Sequence, residues 1–291
     1  MDALKPALNV CALLACVAVA ALWTAADPAH AQMGGGWKKK GRAAEATEGA
    51  SAAGNSTMSG DGVERRDKVI NATGLKPGFP AGFSCEPVSS PFGSPTRYDG
   101  SLRRGDRNSG LHGGLDISLQ EGTPLLAVAA GEVIAAGVGG RLEGIFLWLR
   151  HAPEDTGLGF WVYSKYQHLS KLPELKPGAR VAAGDIVALS GNTGTAGGHY
   201  GMFGYPHLHL TTLYAPSAGY TMRGAYGSMA SSPEALPHDP LLLYLPDLQS
   251  LDQVRGFVPG ADRVNVAVVD ERGAIHPVGA KRVWPVRCRR D

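Results

Sequence analysis

The stretch "TPLLAVAAGEVIAAG" (residues 123–137) holds two short apolar runs separated at Gly131, without the polar face that an amphipathic helix would show. The same texture recurs in "GIFLWLRH" (144–151), "WVYSKYQHLS" (161–170), "VAAGDIVALSG" (181–191) and "HLHLTTLY" (207–214), with glycine and proline between the runs. Short runs rich in β-branched and aromatic residues, bounded by turn formers, read as strands. The sequence therefore predicts an all-β domain over residues 75–245, where about 160 residues suffice for one core. "EALPHDPLLLYL" (234–245) reads as a short helical turn that closes it.

Outward from that domain the texture changes on both sides. Lys5 precedes the apolar "ALNVCALLACVAVAALW" (7–23), and "AHA" (29–31) offers small residues before Gln32. This is the layout of a cleavable secretory signal over residues 1–31, which implies an exported protein. An apolar run of about 17 residues lies at the lower limit for a membrane span, so an uncleaved anchor is the alternative. Residues 32–74, above all 32–66, are mostly Gly, Ala, Ser, Thr and charge, and read as a disordered tether. Residues 246–291 read as a C-terminal β extension: "VNVAVVDERGAIHPVG" (264–279) alternates and turns at "ERG", and "RVWPVRC" (282–288) follows.

Cleavage of the signal removes Cys11 and Cys16 and leaves Cys85 and Cys288. In an oxidising compartment these two suggest one disulfide, closing a loop of about 200 residues and worth up to ~5 kcal/mol on the chain-entropy model. Two separate thiols are the other reading, and neither cysteine sits in a metal-binding CxxC. A net charge of +2 is no nucleic-acid footprint. The basic "WKKKGR" (37–42) and "RCRRD" (287–291) read as solvated ends, with wall or lipid phosphate as the alternative contact.

The chemistry-bearing residues lie inside the β runs. In "YPHLHL" (205–210), His207 and His209 fall on one side of a strand while Leu208 and Leu210 fall on the other. "GLHGGLDIS" (110–118) supplies His112 and Asp116 at an even spacing, with Gly113 and Gly114 free to bend between them. "YSKYQHLS" (163–170) supplies His168. A catalytic zinc site needs three nitrogen or carboxylate ligands and an open position. Five such residues are enough for three ligands and two proton-handling groups. By itself the HxH pair is equally a pair of satisfied histidines at a sheet surface.

"H-x-G-x-D" (112–116), "EGTPLLAVAAGEVIAAG" (121–137), "YQHLS" (166–170), "LKPGARVAAGDIVALSGNTG" (175–194) and "PHLHL" (206–210), in this order, resemble the successive blocks of the lysostaphin/LytM-type zinc peptidases. The resemblance covers residues 92–245. It implies a small two-sheet β-sandwich with a groove across its face and one Zn²⁺ per chain, held by His112, Asp116 and His209. It implies catalytic roles for His168 and His207, and a peptidoglycan peptide as substrate, with the D-alanyl–diaminopimelate bond of a periplasm as the specific expectation. Some relatives that lack ligands bind the wall or another hydrolase instead; all five positions are intact here, which favours the enzyme. A protease acting on an exported protein, and a regulatory protein partner, are further readings.

The sequence departs from the family in places. "HLHLTTLY" lacks the acidic residue that often follows HxH, and "TAGGHYGMFGY" (195–205) is a longer, glycine-rich insertion beside the site that reads as a lid or substrate wall. His199 within it reads as a loop residue, His151 as structural or groove-lining, and His238 and His276 as surface residues.

Overall fold

The computed structural model describes residues 70–105, 108–195, 204–224, 227–260 and 262–291. The expected signal peptide, most of the expected tether, His199 and most of the glycine-rich 195–205 stretch lie outside the described residues. At the end of the expected tether, Ile70 and Thr73 are buried, and Thr73 Oγ1 donates a short hydrogen bond to the Asp239 carboxylate. Among the described residues no helix is long and apolar enough to cross a membrane.

The site is built on a seven-stranded sheet: β1 (Leu115–Ser118), β2 (Gly131–Val138), β3 (Ile145–His151), β4 (Trp161–Leu169), β5 (Arg180–Val181), β6 (His207–Ala215) and β7 (Leu236–His238). The order is β7-β6-β4-β3-β2-β5, and β1 shares one edge of β6 with β7, pairing along His207–Leu210 while β7 takes Thr212–Tyr214. Period-two alternation then sorts the side chains. Leu208, Leu210, Tyr166, Leu147, Leu115 and Ile117 enter the main core. The opposite face carries the histidines of β6 and, farther along, a second cluster of Phe146, Trp148, Tyr163 and Leu213. A hairpin of Thr221–Arg223 and Met229–Ser231 covers that cluster, with Trp148 Nε1 donating to the Ser228 carbonyl at 2.9 Å.

The fold is predominantly β, but the expectation of a simple two-sheet sandwich is corrected: the described residues form five sheets. The short runs between glycine and proline breaks pair locally instead of adding to one continuous second sheet. Pro124–Leu126 pairs with Ile186–Leu189, Lys76–Gly78 pairs with Arg263–Asn265, and the C-terminal strands gather Phe83–Ser84 into a four-stranded sheet. The "ERG" turn joins Ala267–Asp270 to Ile275–His276 as an antiparallel hairpin, and Pro240–Tyr244 forms one short 3₁₀ helix. Cys85 and Cys288 are bonded, 203 residues apart in sequence.

His238 and His276 are not free surface residues. Their rings pack on phenylalanines: His238 stacks on Phe92 at 5.5 Å, and His276 lies 5.0 Å from Phe83 and pairs with Asp270 at 3.0 Å. His151 is structural and fully buried, with Nδ1 at 2.7 Å from the Ala130 carbonyl and Nε2 at 2.8 Å from Ser164 Oγ. Burial pushes its pKa down from 6.5 to about 4. The unfolded chain therefore binds a proton in that window that the folded chain refuses, so this histidine's contribution falls as pH drops from 6.5 to 4. His151→Gln is expected to cost roughly 1–3 kcal/mol at neutral pH through its lost buried hydrogen bonds. The gap to the native chain should narrow by up to about 3 kcal/mol at pH 4. Urea titrations of both proteins across that range check this, and a gap independent of pH would contradict it.

Candidate metal centre and active site

Asp116 on β1 and His209 on β6 are direct cross-strand partners, and their neighbours Ile117 and Leu208 pair on the other face in the core. His112 reaches the same place from the loop before β1, turned in by the bend at Gly113 and Gly114. Gly114 leaves no room for a side chain: a Cβ there would collide with the Leu210 carbonyl and lie 2.8 Å from His209 Nε2. Because a backbone atom blocks it, Gly114→Ala must shift β1 against β6. It is expected to destabilise the protein by roughly 1–3 kcal/mol, as overpacking in a tight core does, and to weaken metal binding with it. Thermal unfolding and metal titration of the purified variant check both effects.

The three donor atoms form a small triangle. His112 Nε2 lies 3.0 Å from His209 Nδ1 and 3.2 Å from Asp116 Oδ1, and His209 Nδ1 lies 2.8 Å from the same oxygen. Ligands of a tetrahedral zinc, with bonds of about 2.0 Å, stand about 3.3 Å apart, so the triangle is nearly of that size. The outer ring atoms are engaged elsewhere: His112 Nδ1 meets the Pro91 carbonyl at 3.1 Å and Ser90 Oγ at 3.2 Å, and His209 Nε2 meets Thr211 Oγ1 at 3.1 Å. A carbonyl can only accept, so His112 donates Nδ1–H and turns the lone pair of Nε2 inward. Burial pushes His209 down to about 4 despite the Asp116 carboxylate. For Asp116 burial acts upward, but its electrostatic interaction with His112 and His207 and its hydrogen bonding with His112 and His209 outweigh that and hold the carboxyl well below its usual range. Two imidazole nitrogens and one carboxylate oxygen fit a divalent ion in their donor set. Among the described residues these three form a group whose ligand atoms all fall within 4.8 Å of one another.

His207 and His168 flank the triangle. His207 Nδ1 contacts the Tyr205 carbonyl at 2.9 Å, and its Nε2 comes within 3.8 Å of Asp116 Oδ1. His168 Nδ1 contacts the Thr193 carbonyl at 2.8 Å, and its ring lies 4.7 Å from that of His207 and 5.8 Å from that of His209. With Nδ1–H given to a carbonyl, each ring presents Nε2 as its free nitrogen. Burial, joined by His207 and His209, pushes His168 well below the ordinary histidine range.

Strict alternation would send His168 into the main core beside Tyr166. It reaches the site because it is the extra residue of a β-bulge: Gln167 pairs with Phe146 and Leu169 with Ile145, leaving His168 unpaired at φ 63°. Left-handed backbone in a residue with a side chain is strained and gathers at functional sites. The "GNTG" block (191–194) supports the bulge. Thr193 Oγ1 accepts from Ile145 N at 2.9 Å and donates to the Leu169 carbonyl at 2.7 Å, beside the carbonyl that holds His168.

All five predicted residues come together. Motif spacing missed the residues that contact them, largely through backbone carbonyls or from far upstream: Ser90, Pro91, Thr193 and Arg103. Tyr98 was missed as well; its ring lies 4.5 Å from that of His207. The side chains of His112, Asp116 and His207 are 2–4% exposed and that of His209 is 17% exposed, so the cluster opens to solvent on the His209 side.

Residues 110–218, which contain all five, match the sequence model of Peptidase family M23. An uncharacterized metalloprotease of Haemophilus influenzae is 38% identical over 126 residues, covering 42% of this chain and 22% of that protein. The glycyl-glycine endopeptidase ALE-1 of Staphylococcus capitis is 36% identical over 111 residues, covering 36% of this chain and 25% of that protein. The chain thus spans about a quarter or less of the length of these curated relatives. Among solved structures, the catalytic domain of lysostaphin from Staphylococcus simulans is 30% identical, with a TM-score of 0.31, covering 45% of this chain and 82% of that one.

Proposed function

We propose that this chain, whose residues 110–218 match the model of peptidase family M23, is an exported, zinc-dependent endopeptidase of the lysostaphin/LytM type that hydrolyses peptide cross-links of peptidoglycan. The observation that carries this reading is the triangle of His112 Nε2, Asp116 Oδ1 and His209 Nδ1, open on one side and flanked by two further histidines. His112, Asp116 and His209 would hold the zinc. Zinc bound there supplies a Lewis acid that polarises the scissile carbonyl and brings the pKa of a water towards neutrality.

The remaining chemistry belongs to His168 and His207. Each donates Nδ1–H to a carbonyl, which locks its ring and leaves an Nε2 lone pair, the state required of a general base. One Nε2 accepts the proton of the attacking water and returns it to the leaving amine. The other, once protonated, donates to the oxyanion developing on the substrate carbonyl. The pair divides acid and base work between neighbouring rings 4.7 Å apart.

For the bond itself we infer the D-alanyl–diaminopimelate cross-link in a periplasm. The signal-like N-terminus and the Cys85–Cys288 disulfide, both suited to an oxidising compartment outside the cytoplasm, support that setting. The glycyl-glycine bond named in the ALE-1 relative is the competing substrate. Digestion of purified sacculi by the mature protein, with and without a chelator, tests both levels. Cross-linked muropeptide dimers should disappear in a zinc-dependent manner, and the masses of the products name the bond. Intact sacculi in the presence of bound zinc would refute the endopeptidase.

A further inference from the structure

Arg103 lies outside the matched residues 110–218, yet its guanidinium sits against the metal centre. Nη2 donates to Asp116 Oδ2 at 3.2 Å and to Ser90 Oγ at 3.0 Å, and Nε donates to the Thr96 carbonyl at 3.1 Å. Its backbone N–H is tied to the Pro95 carbonyl at 2.9 Å, so the side chain starts from a fixed turn. Asp116 is thereby divided. Oδ2 faces the guanidinium, while Oδ1 faces His112, His209 and His207 at 3.2, 2.8 and 3.8 Å. Oδ1 is thus the oxygen turned towards the histidine nitrogens and the one placed to meet an ion.

The same nitrogen reaches the second ligand through Ser90. Ser90 Oγ accepts from Arg103, donates to the Thr96 carbonyl at 2.9 Å and touches His112 Nδ1 at 3.2 Å. Ser90 also bridges Asp116 through the backbone, each donating to the other's carbonyl. One forked cation therefore braces a histidine and a carboxylate together, and it supplies a permanent countercharge to a carboxylate only 3% exposed.

We propose that Arg103 is a positioning residue of the metal centre: it fixes Asp116 as a one-oxygen donor and, through Ser90, sets the ring of His112. The proposal rests on the zinc reading given above. Lysine has the charge without the fork, so it should restore only part of the effect.

Zinc affinity of the purified protein, measured by competition with a chromogenic chelator, tests the role without recourse to activity. Arg103→Met should weaken zinc binding about 10- to 100-fold, the usual effect of losing an outer partner of a metal ligand. Arg103→Lys should fall between, and Ser90→Ala should weaken binding less than Arg103→Met. Thermal unfolding confirms that each variant is folded; if Arg103→Met does not fold, Arg103→Lys and Ser90→Ala carry the test. Zinc affinity within twofold of native in the folded variants would overturn the proposal. So would native affinity with a raised KM, which would make Arg103 a substrate contact. A native chain that binds no zinc would remove the zinc reading itself, and this inference with it; a loss confined to the variants distinguishes the two.

Discussion

His209→Ala is expected to leave the purified chain without zinc and without hydrolytic activity while preserving the fold. His209 Nδ1 is one corner of a three-atom site, 2.8 Å from Asp116 Oδ1 and 3.0 Å from His112 Nε2. Alanine leaves two donors from neighbouring points of one loop and strand, short of the three protein ligands a catalytic zinc requires. The fold should survive because the side chain lies on the sheet face opposite Leu208 and Leu210, which carry the core contacts of that stretch. Metal analysis after dialysis, with circular dichroism alongside, gives the result directly. Zinc retained at the native stoichiometry would take His209 out of the ligand set.

His168→Ala should behave in the opposite way, keeping zinc and losing turnover by about 10²- to 10⁴-fold, the range for removing a positioned general acid or base. Its ring lies 5.8 Å from that of His209 and its anchored nitrogen faces the Thr193 carbonyl, so it is not a corner of the triangle. A second substitution separates chemistry from architecture. At φ 63° any side chain is strained by roughly 1–2 kcal/mol, from which glycine is exempt. His168→Gly should therefore unfold at a higher temperature than His168→Ala and be equally inactive. Full turnover in either variant would assign the proton transfer elsewhere, and loss of zinc in both would make His168 a ligand.

Much of the site was legible along the chain because its parts obey short-range rules. HxH on a strand must face one way, and Asp116 must share a face with His209 once β1 and β6 pair with Ile117 opposite Leu208. The disulfide was legible because the expected signal cleavage would leave only Cys85 and Cys288, and these two are bonded. The sheet count was not, since short runs between glycines do not say which run each will pair with. His238 and His276 were read as surface residues for a related reason: a polar ring at a strand end gives no sign of the Phe92 or Phe83 ring that packs beside it.

The residue types of the centre, their order and the facing of every strand that keeps period two can be read from the amino acids alone. The packed fold decided how His168 joins them. Regular alternation buries it beside Tyr166; a bulge opposite Ile145 and Phe146, held by Thr193, turns it through left-handed backbone onto the face with His207 and His209. It also decided that Arg103 and Ser90 stand behind Asp116 and His112. Those contacts join residues far apart in the chain through a carbonyl, a hydroxyl and a guanidinium. Such groups are common everywhere, and they acquire meaning only from where the fold places them.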